Sequence, residues 1–150
     1  MEKPWALVTG GSRGLGYALA ECLAEKGYNL IIISRADDEL EDARKKIAEK
    51  YPDVQIIARV QDLSVVGSAE QGYEWTKEQG IRISFLANNA GIYIYQPLVD
   101  TPAELQNEII NLDITTLTSL CRLYGADMIE SKEKCYILNI ASYSVYMPIA

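Results

Sequence analysis

The sequence predicts an α/β fold in which a doubly wound parallel sheet carries helices on both faces. Three observations predict it: short apolar runs of strand length alternate with stretches of helical periodicity, capping patterns mark helix starts, and a glycine-rich turn joins the first apolar run to the first helix. No repeat, low-complexity run or linker interrupts the 150 residues, which therefore read as continuous βαβ units. Right-handed crossovers between such units give a parallel sheet covered on both sides.

The elements follow in order. Trp5-Ala6-Leu7-Val8 opens a buried strand at 5–9, and Leu15, Leu19, Cys22 and Leu23 recur at helical spacing over 14–26 until Gly27 stops the helix. Asn29 to Ser34 reads as a second strand, followed by a charged helix at 38–50, for which Asp38 and Glu41 have capping-box spacing. A third strand falls at 54–60, a helix at 68–79 and a fourth strand at 83–87. Two helical segments are expected between 102 and 131, the first opened by Thr101-Pro102-Ala103-Glu104, which combines an N-cap, a proline at the first helical position and a reciprocal glutamate. A fifth strand at 135–141 completes the set.

The turn Thr9-Gly10-Gly11-Ser12-Arg13-Gly14-Leu15-Gly16 sits where a phosphate is held in such folds. Gly10 can take the tight turn out of the strand, Gly14 lets a ligand approach the backbone, and Gly16 lets the helix pack closely. The free N–H groups at the helix start then face an anion. A nucleoside-triphosphate loop needs Lys-Ser or Lys-Thr after its last glycine, whereas here Tyr17 follows Gly16, which argues against kinase-like or ATPase chemistry.

Composition narrows the function further. Hydrophobic residues make up 49% and charged residues 23%, the balance of an ordinary globular domain. With 21 acidic against 14 basic residues the net charge is −7, which opposes nonspecific binding to nucleic acid or to an anionic membrane. No apolar run approaches the roughly 20 residues of a membrane span, and the start Met1-Glu2-Lys3-Pro4 leads into a strand, not into a long apolar signal segment; the cytoplasm is the expected location. Cys22, Cys121 and Cys135 are odd in number and widely spaced on apolar elements, the pattern of buried reduced thiols, and no metal cluster is visible. Without histidine, neither a Ser-His-Asp triad nor a histidine-containing zinc site can form in these residues.

Four motifs in order carry a resemblance that spans essentially the whole chain. The glycine loop has the pattern Thr-Gly-x-x-x-Gly-x-Gly, the third strand ends in Val60-Gln61-Asp62-Leu63, Asn88-Asn89-Ala90-Gly91 follows the fourth strand, and Ile137 to Ser142 looks like a strand that delivers a serine. Together they resemble the short-chain dehydrogenase/reductase family. The resemblance implies a Rossmann-type sheet of order 3-2-1-4-5, incomplete at its C-terminal end. It also implies an oxidoreductase that moves hydride between a nicotinamide cofactor and a small carbonyl or alcohol substrate, as a homo-oligomer. Stretches around Ser34-Arg35, the charged helix through Tyr51 and the Pro97 region are similar to hydroxysteroid dehydrogenases and long-chain 3-oxoacyl reductases.

Residue roles carry over position by position. Gly10, Ser12, Arg13, Gly14, Leu15 and Gly16 form the phosphate loop, and Asn88, Asn89, Ala90 and Gly91 the wall beside the nicotinamide ribose. Asp62 would accept from the adenine amine beside Leu63, or else cap a turn with Ser64. A carboxylate at the end of the second strand would select NAD; here Ser34 is followed by Arg35, and with Arg13 it can clamp the 2′-phosphate of NADP. The alternative is that both arginines are surface charges paired with Asp37 and Asp38, though those acids also suit a helix start. Ser142 would hold the substrate carbonyl, while Tyr143 and Tyr146 line the substrate mouth or cover the core.

Two departures from the family pattern stand out. Its Tyr-x-x-x-Lys pair follows the serine strand, and the chain ends at Ala150 before such a helix, as expected of the amino-terminal part of a longer enzyme. Tyr73 and Lys77 have the spacing but precede Asn88, and read as a chance match on a solvated helix face. The family's usual asparagine aligns with Asp113, whose buried carboxylate must be paired or protonated to serve a proton relay. A noncatalytic dinucleotide-binding or regulatory module is the competing reading.

Overall fold

A computed structural model describes residues 3–143 and 146. Five parallel strands, β1 (Trp5–Thr9), β2 (Asn29–Ser34), β3 (Ile56–Val60), β4 (Ile83–Asn88) and β5 (Tyr136–Asn139), lie in the order β3-β2-β1-β4-β5, as the family resemblance implied. The order reverses beside β1, so a crevice opens between the loops that follow β1 and β4.

Alternation along the central strands explains the two layers. Ala6, Val8, Leu30 and Ile32 face α1 (Gly14–Glu25) and α2 (Asp37–Lys50), where Leu23, Leu40 and Ile47 meet them. Leu7, Ile31, Ile33 and Leu86 face the other way, toward α3 (Ser68–Glu78) and α5 (Leu117–Ser131), which contribute Ala69, Leu120, Tyr124 and Met128. Strands buried on both faces need continuous apolar sequence, and β2 supplies it with Leu30 to Ile33.

The expected bounds needed several corrections. β3 starts at Ile56, not at 54, because Val54 donates to the Tyr51 carbonyl in a turn. β5 is confined to Tyr136–Asn139, where it pairs with β4. The Asp38–Glu41 capping box does not form: the helix already starts at Asp37 after Ala36, and Glu41 instead takes two bonds from Arg44, at 2.8 and 2.7 Å. Thr101 is not the N-cap, since Pro102 occupies that position and the Thr101 hydroxyl donates to the Pro97 carbonyl. The cysteines are free, as expected, but not deeply buried; Cys22 is exposed and Cys121 and Cys135 half-buried.

The two helical segments expected between 102 and 131 are present, with no break between them. They form one unbroken helical path, with α4 (Ala103–Ile110) passing through a π-helical segment, Asn111–Thr116, into α5. Both junction residues, Ile110 and Thr116, keep right-handed helical backbone, so the change is one of hydrogen-bond step. Such widened turns occur disproportionately at functional sites.

Candidate active site

The glycine loop is fixed by its own geometry. Gly10, at φ +67°, turns the chain so that its N–H and that of Gly11 both donate to the Ile33 carbonyl, at 2.7 and 3.2 Å. A Cβ on Gly16 would lie 2.1 Å from the Gly10 carbonyl oxygen and 2.5 Å from Asn89 Nδ2, so no larger residue fits where α1 leaves the loop. Gly14, at φ +56°, faces open space instead. The N-cap, Arg13, makes no side-chain cap bond, which leaves the amides at the start of α1 available to an anion.

A second loop is clamped onto the first by Thr9, which the sequence reading did not single out. Its hydroxyl accepts the N–H groups of Asn89 and Ala90, both at 3.0 Å, while Asn89 Nδ2 donates back to the carbonyls of Thr9 and Gly10 at 3.1 and 3.2 Å. The strand-ending threonine that opens the glycine motif was the available signal. Asn88 does not join the wall assigned to it. Its side chain, 4% exposed, turns the other way to donate to Asn139 Oδ1 at 2.9 Å and to Cys121 Sγ at 3.3 Å.

Between these loops lies a cleft of about 240 Å³, to which Gly10, Ser12, Arg13, Ser34, Arg35, Asp62, Leu63, Asn89, Ala90 and Gly91 contribute. Ile33, Gln61 and Leu112 also line it, each adjacent in sequence to a residue singled out for the site. Ser34 Oγ donates to Ser12 Oγ at 3.1 Å, tying the glycine loop to the end of β2. Arg13 reaches Glu39 at 3.5 Å, so its competing acid is neither Asp37 nor Asp38. An ion pair that open to water holds Arg13 weakly and leaves it free to turn toward an anion. Leu15 is 72% exposed and, like Gly14 and Gly16, does not line the cleft.

Asp62 caps its own turn: Oδ1 accepts from the Ser64 N–H at 2.9 Å and hydroxyl at 2.6 Å. Burial raises its pKa, but the two Ser64 bonds and the nearby Arg35 charge outweigh this and hold the carboxyl below its usual range. Asp113 behaves oppositely. The π segment aims its Oδ1 at the Ile92 N–H, 3.2 Å away and beside Gly91, yet burial dominates and pushes its carboxyl upward. Ser142 lies three residues beyond β5 on an exposed stretch, outside the lining of the cleft. Tyr143 and Tyr146 are exposed and so do not cover the core.

Tyr73 and Lys77 are not on a bare solvated face. Tyr73 is half-buried against Tyr124, and both Tyr73 Oη and Lys77 Nζ donate to Asp127 at 2.9 Å, bolting α3 to α5. Burial and the Asp127 carboxylate push the Tyr73 phenol up, the wrong direction for a proton-transferring tyrosine. Lys77 and Asp127 border a hollow with Ile81 and Arg82, ahead of β4 and therefore at the opposite end of the sheet from the cleft. Among the described residues no group of three or more His, Cys, Asp or Glu is placed to hold a metal, and no helix is long and apolar enough to cross a membrane.

The signature described as short chain dehydrogenase matches residues 4–150. The chain belongs to the short-chain dehydrogenase family. Within it, the very-long-chain 3-oxoacyl-CoA reductase of Rattus norvegicus is 33% identical over 151 residues, covering 97% of this chain and 46% of the relative. That of Bos taurus is 34% identical over 152 residues with the same coverage. The chain thus spans about half the length of the curated relatives it matches. Among solved structures, the bulky-bulky ketone specific alcohol dehydrogenase of Comamonas testosteroni superposes with a TM-score of 0.89 at 27% identity, over 99% of this chain and 58% of that one. A Sphingobium yanoikuyae short-chain dehydrogenase in complex with NADPH gives 0.87 at 28% identity, over 97% and 56%.

Proposed function

We propose that this chain forms the cofactor-binding part of an NADP-dependent oxidoreductase acting on a carbonyl compound or secondary alcohol. The observation that carries the reading is the juxtaposition of Arg35 and Arg13 in one cleft, at the end of β2, where the adenosine ribose of a dinucleotide lies in this fold. The residue directly after Ser34 is Arg35 and not an acid that would repel a 2′-phosphate, and Arg13 has only a weak surface partner. The NADPH complex of the Sphingobium relative supports the same choice.

The residues present fit such a cofactor. Gly14 and the free amides of α1 offer a cradle for the pyrophosphate, Asp62 and Leu63 form the adenine side, and Ala90 and Gly91 border the nicotinamide side. A bound nicotinamide supplies or accepts hydride. The chain's own contribution is to fix the two loops against each other through Thr9 and Asn89, and to present Ser142 beyond β5 as a hydrogen-bonding group for a substrate oxygen. The named relatives make a 3-oxoacyl thioester the first substrate to test.

Calorimetric titration of the intact protein with NADPH and NADH, followed by a carbonyl-reduction panel, tests the reading. Tighter NADPH binding with turnover is the expected result. Equal affinities would remove the NADP assignment, and binding without turnover of any carbonyl would favour a noncatalytic dinucleotide-binding module.

A further inference from the structure

Behind the adenine side of the cleft lies a chain of contacts that the proposed function does not use. The Arg59 guanidinium sits 4.5 Å from the centre of the Trp75 ring, and its Nε donates to Gln61 Oε1 at 2.8 Å. Gln61 Nε2 in turn donates to the Ser68 carbonyl at 2.7 Å, and the Gln61 backbone N–H to the Ser34 carbonyl at 3.0 Å. Gly72 borders the same amide: a Cβ there would come within 3.3 Å of Gln61 Oε1, a tight contact that Gln61 would have to give way to. Gln61 therefore has its side-chain acceptor, its side-chain donor and its backbone donor all engaged. It lines the cleft and directly precedes Asp62.

We propose that Arg59 is a positioning residue for cofactor binding: pinned on Trp75, it locks Gln61 and thereby sets the Asp62–Leu63 turn that faces the adenine end. The inference rests on the dinucleotide reading above and deepens it. A guanidinium stacked on an indole is restrained before it makes its hydrogen bond, so little ordering cost remains when the bond forms. The restraint is local to one end of the cleft. Gln61 follows β3 and Ala90 follows β4, three strand spacings or about 14 Å apart. Loosening Gln61 therefore disturbs the adenine side while leaving the nicotinamide side in place.

The test compares Arg59→Leu with wild type in the intact protein, using 2′,5′-ADP and reduced nicotinamide mononucleotide as separate probes of the two ends, with thermal unfolding in parallel. Affinity for 2′,5′-ADP should fall by about fivefold, the effect of losing one charge-assisted hydrogen bond at one remove, and the mononucleotide affinity should stay within twofold. Arg59→Lys keeps a cation near Trp75 but loses the Nε–H, and should show the same selective loss; it carries the comparison if the leucine variant does not fold. Equal losses for both probes would mean a merely structural role and overturn the proposal, as would no loss at all. Wild type binding neither probe would overturn the dinucleotide reading itself, an outcome distinct from wild type binding both and the variants being indifferent.

Discussion

The hydroxyl of Thr116 donates to the carbonyl oxygen of Leu63 at 2.8 Å, joining the π-helical segment to the adenine-side wall across 53 residues of chain. Ser68 Oγ donates to the same carbonyl at 3.0 Å, so α3 and the π segment converge on one buried acceptor. Leu112 in the cleft and Asp113 on Ile92 belong to that same segment. One short stretch of helix thus touches both walls of the candidate site.

Thr116→Val keeps the shape and removes the donor. Leu63 retains the Ser68 bond, so the expected cost is about 1 kcal/mol, the net worth of one buried hydrogen bond. Urea denaturation should show the loss as a lower midpoint with an unchanged slope.

Gly16→Ala should be far more damaging. The added methyl would meet the Gly10 carbonyl oxygen at 2.1 Å, so either α1 or the glycine loop must move. A destabilisation of about 3 kcal/mol is expected, as for an overpacked core, together with loss of NADPH binding in calorimetry.

Arg35→Ala should weaken NADPH binding by roughly 1.5–3 kcal/mol, tenfold or more, as expected when a hydrogen bond to a charged group is lost. NADH, without the 2′-phosphate, should be nearly indifferent. Parallel titrations with both cofactors read the difference, and equal losses would contradict a phosphate contact.

Asp62 and Asp113 should titrate on opposite sides of the ordinary carboxylate range when followed by carboxyl carbon NMR. Folding raises the Asp113 pKa, so its favourable contribution is complete below the unfolded value and is lost as pH rises through the folded one. Asp62, lowered on folding, contributes above its unfolded value and loses that contribution as pH falls through the folded one. Asp113→Asn keeps an oxygen for the Ile92 N–H and should abolish the first dependence without disturbing the second.

Much of this was legible because the informative signals are local. The strands announce themselves as apolar runs such as Leu30 to Ile33, and the glycine loop is a contiguous motif whose steric demands belong to its own backbone. What escaped depends on partners distant in sequence. The Thr9 hydroxyl acquires its role from Asn89 and Ala90, and Arg59 from Trp75 and Gln61. The π segment has no residue signature, since Asn111 to Thr116 would satisfy an ordinary helical pattern equally well. Local capping rules misread Thr101 because a carbonyl four residues back, that of Pro97, competes for its hydroxyl.

The widened turn at Asn111–Thr116 also makes this stretch sensitive to length, and not only to the side-chain bonds of Asp113 and Thr116. A turn closed by i→i+5 bonds holds one residue more than an α-helical turn, so excising a single codon here would tighten it toward ordinary α-helix and change the phase at which Leu112 and Asp113 meet the cleft and the Ile92 N–H. Exchanges of side chain in the solvent-facing part, at Ile114 or Thr115, would leave that phase untouched. The segment works as a spacer whose residue count is its message, and mutational scans should find it permissive to substitution at those positions and closed to deletion.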